Sequence, residues 1–170
     1  MSDPMDLLAQ RARRLALPVS RQDPVERRRM LLDFPLGGER YAVEAERVRE
    51  VVPTVHLAPL PAAPPFILGI LPVRGVIWSI MDLRLYFGIP RRGISDQPRA
   101  ILVEAGSLRW GILAEGDLRL VPLGQLRPPP DVTEKIPRSF IRGVTDDLAV
   151  VLDLEALAGD PRMIVQEDVE

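Results

Sequence analysis

The chain repeats itself. Laid without a gap on residues 110–130, residues 41–61 match at Ala45/Ala114, Glu46/Glu115, Val52/Val121, Pro53/Pro122, Leu57/Leu126, Pro59/Pro128 and Pro61/Pro130, with aromatic Tyr41 over Trp110. Later landmarks keep the same order: Phe66-Ile67-Leu68-Gly69-Ile70 answers Phe140-Ile141-Arg142-Gly143-Val144, and Ser79-Ile80-Met81-Asp82-Leu83 answers Val150-Val151-Leu152-Asp153-Leu154. The offsets drift only between 69 and 74. A period this long predicts two similar subdomains. Each is near the lower size limit for independent stability, so the pair is expected to share one core.

The repeated unit is built of short strands. Met30-Leu31-Leu32-Asp33-Phe34 runs through the Gly37-Gly38 turn into Tyr41-Ala42-Val43, and Ala100-Ile101-Leu102-Val103 runs through Gly106 into Leu108–Leu113. Both are hairpin signals, and with few helical stretches between them they predict a β-rich, barrel-like architecture. Each unit closes on an apolar strand, an Asp and a short amphipathic turn ended by Gly, Asp82 to Gly88 and Asp153 to Gly159. The aspartates read as N-caps and the glycines as left-handed C-caps.

The longest uncharged stretch, Val51 to Val73, is 23 residues and long enough to span a bilayer. Pro53, Pro59, Pro61, Pro64, Pro65 and Pro72 forbid a helix there, at about 3 kcal/mol for each interior proline. With no signal-like apolar run at the N-terminus, the expected location is cytoplasmic, without membrane insertion. Residues 1–29 stand apart as a basic arm, in which Met5, Leu8, Ala12 and Leu15 keep a helical spacing. Residues 30–160 form the predicted domain, and 161–170 read as an acidic tail.

Composition removes most chemistry. There is no Cys, one His (His56) and one Lys (Lys135), so thiolate nucleophiles, zinc ribbons and multi-histidine metal sites are excluded. No Gly-rich phosphate loop and no Gly-x-Ser-x-Gly elbow occurs. The arginines are interleaved with 24 acids and the net charge is only -2, which argues against nucleic acid as a partner. No catalytic residue, cofactor or metal is expected. Phe66 and Trp110 read as core anchors, while Trp78, flanked by Ile77 and Ile80, reads as a partner-facing anchor on an alternating strand.

Three segments carry a resemblance: FPLGGERYAVEAERVREVVP at 34–53, PLPAAPPFILGILPVRGVIWSIMDLRLYFG at 59–88, and ILAEGDLRLVPLGQLRPPP at 112–130 followed by FIRGV and VVLDLEAL. Together they are similar to the CheW-like domain of bacterial chemosensory adaptors, over roughly residues 30 to 160. The most specific parts are Val48, Glu50 and Val51, the run Gly69 through Ile77, and Met81-Asp82-Leu83-Arg84. The resemblance implies an all-β fold of two SH3-like five-stranded β-barrel subdomains sharing a core, with short helices. It also implies a non-enzymatic adaptor between the cytoplasmic tip of a methyl-accepting chemoreceptor and the regulatory domain of a CheA-type histidine kinase, with self-association in array rings beside membrane-bound receptors. Where the family usually carries Asn-Leu-Arg-Gly, this chain has Pro72-Val73-Arg74-Gly75. An alternative is a CheW-like docking or polar-localisation scaffold that does not couple to a kinase. The interface residues expected from these readings are Arg74, Glu50, Val48, Val51 and Trp78.

Overall fold

The computed structural model describes residues 30–89, 97–129 and 136–164, so the arm at 1–29 lies outside the described residues. The first repeat supplies strands β1 (Met30–Leu36), β2 (Glu39–Glu44), β3 (Val48–Pro53), β4 (Ile67–Val73) and β5 (Val76–Met81), then helix α1 (Leu83–Phe87). The second supplies β6 (Pro98–Ala105), β7 (Leu108–Glu115), β8 (Arg119–Pro122), β9 (Ile141–Val144) and β10 (Val150–Leu152), then helix α2 (Leu154–Ala158). A last turn of helix, α3 (Pro161–Ile164), follows.

The strands form two five-stranded sheets, and neither belongs to one repeat. Sheet A has the order β8-β1-β2-β10-β9, and sheet B the order β3-β6-β7-β5-β4. Each therefore takes its first hairpin from one repeat and its third, fourth and fifth strands from the other. The two repeats share one strand order, as duplication predicts, but they exchange strands. Neither half of the chain can complete a sheet alone.

Both sheets are closed by the same device. After β3 the chain returns to β4, where Ala58 donates to the Ile70 carbonyl at 2.9 Å and accepts from its amide at 2.8 Å. After β8 the chain does the same at β9, with Arg127 and Val144 exchanging bonds of 2.9 and 2.8 Å. The repeated glycines make this approach possible. A Cβ at Gly69 would stand 2.2 Å from the Ala58 carbonyl oxygen, and one at Gly143 would stand 2.9 Å from that of Arg127. Each return covers one residue of an edge strand, Ile70 of β4 and Val144 of β9.

Closure buries β1, β6 and β7 on both faces, which accounts for their continuous apolar runs where alternation would be expected of a half-exposed sheet. In β6, Ile101 and Val103 join the large core between the sheets, while Ala100 and Leu102 fill the interior of sheet B with Leu71, Trp78 and Ile80. In sheet A, Leu32, Phe34 and Val43 face the shared core, while Leu31, Ala42 and Val151 fill the smaller interior. Phe66 and Trp110 are core residues as expected, at 8% and 2% exposure.

The helix caps hold with one exception. Asp82 accepts from the Arg84 amide at 2.9 Å, Asp153 accepts from the Ala156 amide at 3.1 Å, and Gly88 ends α1 in the left-handed region at φ 69°. Gly159 is instead right-handed, at φ -81°. There the chain turns on into α3, whose Met163 is buried in the shared core. Met163, within the segment that charge assigns to the tail, is thus packed in the core, while residues 165–170 lie outside the described residues. Tyr86 of α1 holds this end by donating its hydroxyl to Asp160, and the Arg162 guanidinium sits 3.9 Å from the centre of the Tyr86 ring.

Arg84 is the least expected core residue. Its guanidinium is buried, donating from Nε to Asp82 Oδ1 at 3.2 Å and from Nη2 to Asp82 Oδ2 at 3.1 Å and Glu115 Oε1 at 3.2 Å. Burial lowers the affinity of this guanidinium for its proton, but bonding to Asp82 and the charge of Glu115 outweigh that and raise its pKa. The group ties α1 to the end of β7 beneath the β1–β2 turn, where a Cβ on Gly37 would strike Arg84 Cδ at 2.8 Å.

Candidate functional site: the open mouth of sheet B

Strands β4 and β5 are joined by two residues, Arg74 and Gly75, with φ 51° and 79°. Positive φ at both central positions is the pattern of a type I′ hairpin, whose twist suits the flanking strands. Glycine takes that conformation freely, whereas Arg74 takes it at a steric cost. The tip thereby projects a guanidinium that is 81% exposed, and Nη2 donates to Glu50 Oε1 on β3 at 3.2 Å. So exposed a pair is worth about 0–1 kcal/mol to the fold.

Behind this pair opens a groove of about 490 Å³, the mouth of the sheet B barrel. Its apolar lining is Val73, Val76, Trp78 and Leu102. Charge rings the rim. Glu104 lies 3.0 Å from Arg49 Nε and 2.9 Å from Arg109 Nε, and Arg74 and Glu50 complete the circle.

Of the five residues expected at an interface, the fold brings Glu50, Arg74 and Trp78 together here. Trp78 requires correction as an exposed anchor: it is only 6% exposed, because its strand turns it into the barrel interior and gives the outward place to Ile77, 68% exposed. Val48 and Val51 do not line the mouth. Val48 packs on the shared core, and Val51 is 36% exposed. Sequence reasoning missed Arg49, Leu102, Glu104 and Arg109. A signal existed for two of them, since Glu104 and Arg109 are equidistant from the β6–β7 turn and pair directly across it.

A second, smaller cleft holds Glu44, Arg47, Arg142, Asp153 and Glu155, already joined as Arg142–Glu44 and Arg47–Glu155 ion pairs. Burial pushes the Glu44 carboxyl above its usual range even against the Arg142 charge. His56 is exposed on the connection after β3. Among the described residues no group of three or more His, Asp or Glu is placed to hold a metal ion, and no helix is long and apolar enough to cross a membrane. The mouth of sheet B thus combines an apolar floor with a charged rim and the β4–β5 tip.

The fold and this surface define a duplicated β-barrel binding scaffold. A CheW-like domain family model matches residues 30–162. The chain is 29% identical over 118 residues to a chemotaxis protein CheW of Rhizobium meliloti, covering 68% of this chain and 76% of the relative. It is 26% identical over 143 residues to a chemotaxis protein CheW of Klebsiella aerogenes, covering 81% and 86%. The crystal structure of the scaffolding protein TtCheW from Thermoanaerobacter tengcongensis superposes with a TM-score of 0.69 at 32% identity, over 79% of this chain and 90% of that one. The chain belongs to the CheW-like domain family, as a non-enzymatic chemotaxis scaffold.

Proposed function

We propose that this protein couples the cytoplasmic tip of a methyl-accepting chemoreceptor to the regulatory domain of a CheA-type histidine kinase at the cytoplasmic side of membrane-bound receptor arrays. Glu50, Arg74 and the groove over Trp78 form part of the coupling surface, and Val48 and Val51 flank it on β3. The observation that carries this reading is the Glu50–Arg74 hydrogen bond at the groove mouth. The bond contributes little to the fold, yet it orients a planar donor set on a rigid tip, where it can meet a partner's carboxylates or backbone oxygens. Weak contacts of this kind become durable when many copies act together in an array.

The test is receptor-dependent kinase activation with purified components. Arg74→Ala is expected to retain the wild-type circular dichroism and melting profile while activation falls, and Glu50→Ala to behave alike. Normal activation by folded Arg74→Ala at matched concentration removes the residue from the coupling surface. Failure of the wild-type chain to bind any CheA-type kinase, with receptor binding intact, favours a docking scaffold instead.

A further inference from the structure

The shared core runs out at matching places in the two sheets. By the repeat offset of 69, Leu32 of β1 corresponds to Ile101 of β6, and Val51 of β3 to Leu120 of β8. Leu32 and Ile101 both face the shared core, and each pairs outward with the edge strand of its sheet, Leu32 with Leu120 and Ile101 with Val51. Directly paired residues lie on the same face of a sheet. Along each row the inner residue is buried and the edge residue is not: Leu32 is 7% exposed and Leu120 40%, Ile101 0% and Val51 36%. The core therefore ends at each edge strand in an apolar shoulder open to solvent.

The two shoulders differ in the next row on the same face. In sheet A it pairs half-buried Met30 with exposed Pro122, whereas in sheet B it pairs exposed Arg99 with Pro53. The shoulder of sheet A is thus apolar across both rows, and that of sheet B carries a guanidinium.

Met30 is also where residues 1–29 join the fold. Their sequence has the marks of a helix of its own: Asp3 at an N-cap position, Pro4 at the first helical position, and Pro18 to end the run. On a helical period Met5, Leu8, Ala12 and Leu15 share one side, with Gln10 and Arg14 opposite. A helix this short is marginal in water, and burying such a stripe is what stabilises it. Leu15 stands 15 positions before Met30, chain enough to reach about 50 Å at full extension. Pro18 and Pro24 within that stretch break the helix and allow the chain to double back.

We propose that the arm folds back within its own molecule and lays the Met5–Leu15 stripe on the sheet A shoulder of Met30, Leu120 and Pro122. The arm leaves the fold from this shoulder, so tethering gives even a weak contact a high effective concentration. With seven arginines against four acids, the arm is repelled from the matching sheet B shoulder by Arg99. A partner that uses the covered face must first displace the arm. The inference rests on no part of the coupling assignment above.

The chain has no cysteine, so a single introduced thiol can carry a spin label. Gln10→Cys in the full chain places a nitroxide on the side of the arm opposite the stripe. Relative to the same sample with the nitroxide reduced, the Leu120 methyl resonances are expected to lose most of their intensity. Nitroxide-bearing chain without isotope, mixed with isotope-labelled chain without nitroxide, should show no such loss, because the contact lies within one molecule. Leu8→Asp combined with Leu15→Asp leaves the described domain untouched and should restore the signals. Leu120→Asp, on an exposed edge, should leave the melting temperature near wild type while trypsin cleaves at the arm arginines several-fold faster. Leu120 signals that keep their intensity, a loss that appears equally in the mixed sample, a loss unchanged by the paired aspartates, or cleavage unchanged by Leu120→Asp overturns the proposal.

Discussion

Gly69 has no room for a side chain because the Ala58 carbonyl oxygen lies 2.2 Å from where its Cβ would stand, with the carbonyl carbon at 2.8 Å. Both neighbours are backbone and cannot swing away, and the two hydrogen bonds that close sheet B run through Ala58 and Ile70 beside them. Gly69→Ala is expected to destabilise the protein by about 3–4 kcal/mol, in the range of severe backbone and overpacking effects. Gly143→Ala meets the Leu126 side chain at 2.7 Å as well as backbone, and should cost less. Urea unfolding of the two variants checks the order.

Arg84 is buried against the buried Asp82 carboxylate and the partly buried Glu115 carboxylate, so its removal strands charge. Arg84→Leu leaves Asp82 buried opposite an apolar group and is expected to cost about 3–5 kcal/mol. Arg84→Leu combined with Asp82→Asn should cost less than the sum of the single changes, since the orphaned charge is then gone. Denaturant midpoints for the three variants give the coupling directly.

The end of the fold should be sensitive to acid. Burial alone would raise the Asp160 carboxyl, but hydrogen bonds from Arg162 and Tyr86 outweigh it and hold the group below its ordinary value of 3.8. A depressed carboxylate contributes stability that is complete above the unfolded value and is lost as pH falls through the folded one. Asp160→Asn is therefore expected to melt a few degrees below wild type at neutral pH, corresponding to about 1–2 kcal/mol. The gap should narrow below about pH 4. A difference independent of pH would place the effect in packing rather than in charge.

The β4–β5 tip allows conformation and charge to be separated. Arg74→Gly removes the steric penalty of positive φ along with the guanidinium, so it should melt at or above the wild-type temperature, within about 1 kcal/mol in stability. Arg74→Lys keeps the charge and loses the planar fork. If recognition depends on that fork, Arg74→Lys activates kinase poorly while remaining as stable as wild type. Thermal melts and activation assays on the same samples check both expectations.

The duplication was legible because its landmarks are residues that closure requires: Gly69 and Gly143 where the returning chain crosses, and Asp82 and Asp153 where the helices begin. The exchange of strands between repeats was not legible, since an internal alignment reports which segments are alike and not which segments pair. Trp78 misled for a related reason. A strand buried on one face by the barrel and flanked outward by Ile77 shows apolar residues on both sides, and the pattern does not say which side is wet. Arg84 was hidden because an arginine in a short amphipathic helix reads as solvated, and only the Asp82 and Glu115 carboxylates around it reveal otherwise. Glu50 and Arg74 were expected at an interface, whereas the groove behind them is assembled from β3, β4, β5, β6 and β7 and has no signature in any one segment.

Simultaneous binding of two partners is the central claim, and a three-component pull-down tests it most directly. A tagged chemoreceptor tip fragment would be immobilised, a CheA-type kinase from the same cell added at a concentration where it does not bind alone, and this protein titrated in. The account predicts that kinase retention rises with added protein and falls when Arg74→Ala replaces wild type. Kinase retention that does not change across the titration, with this protein folded and present, would contradict it.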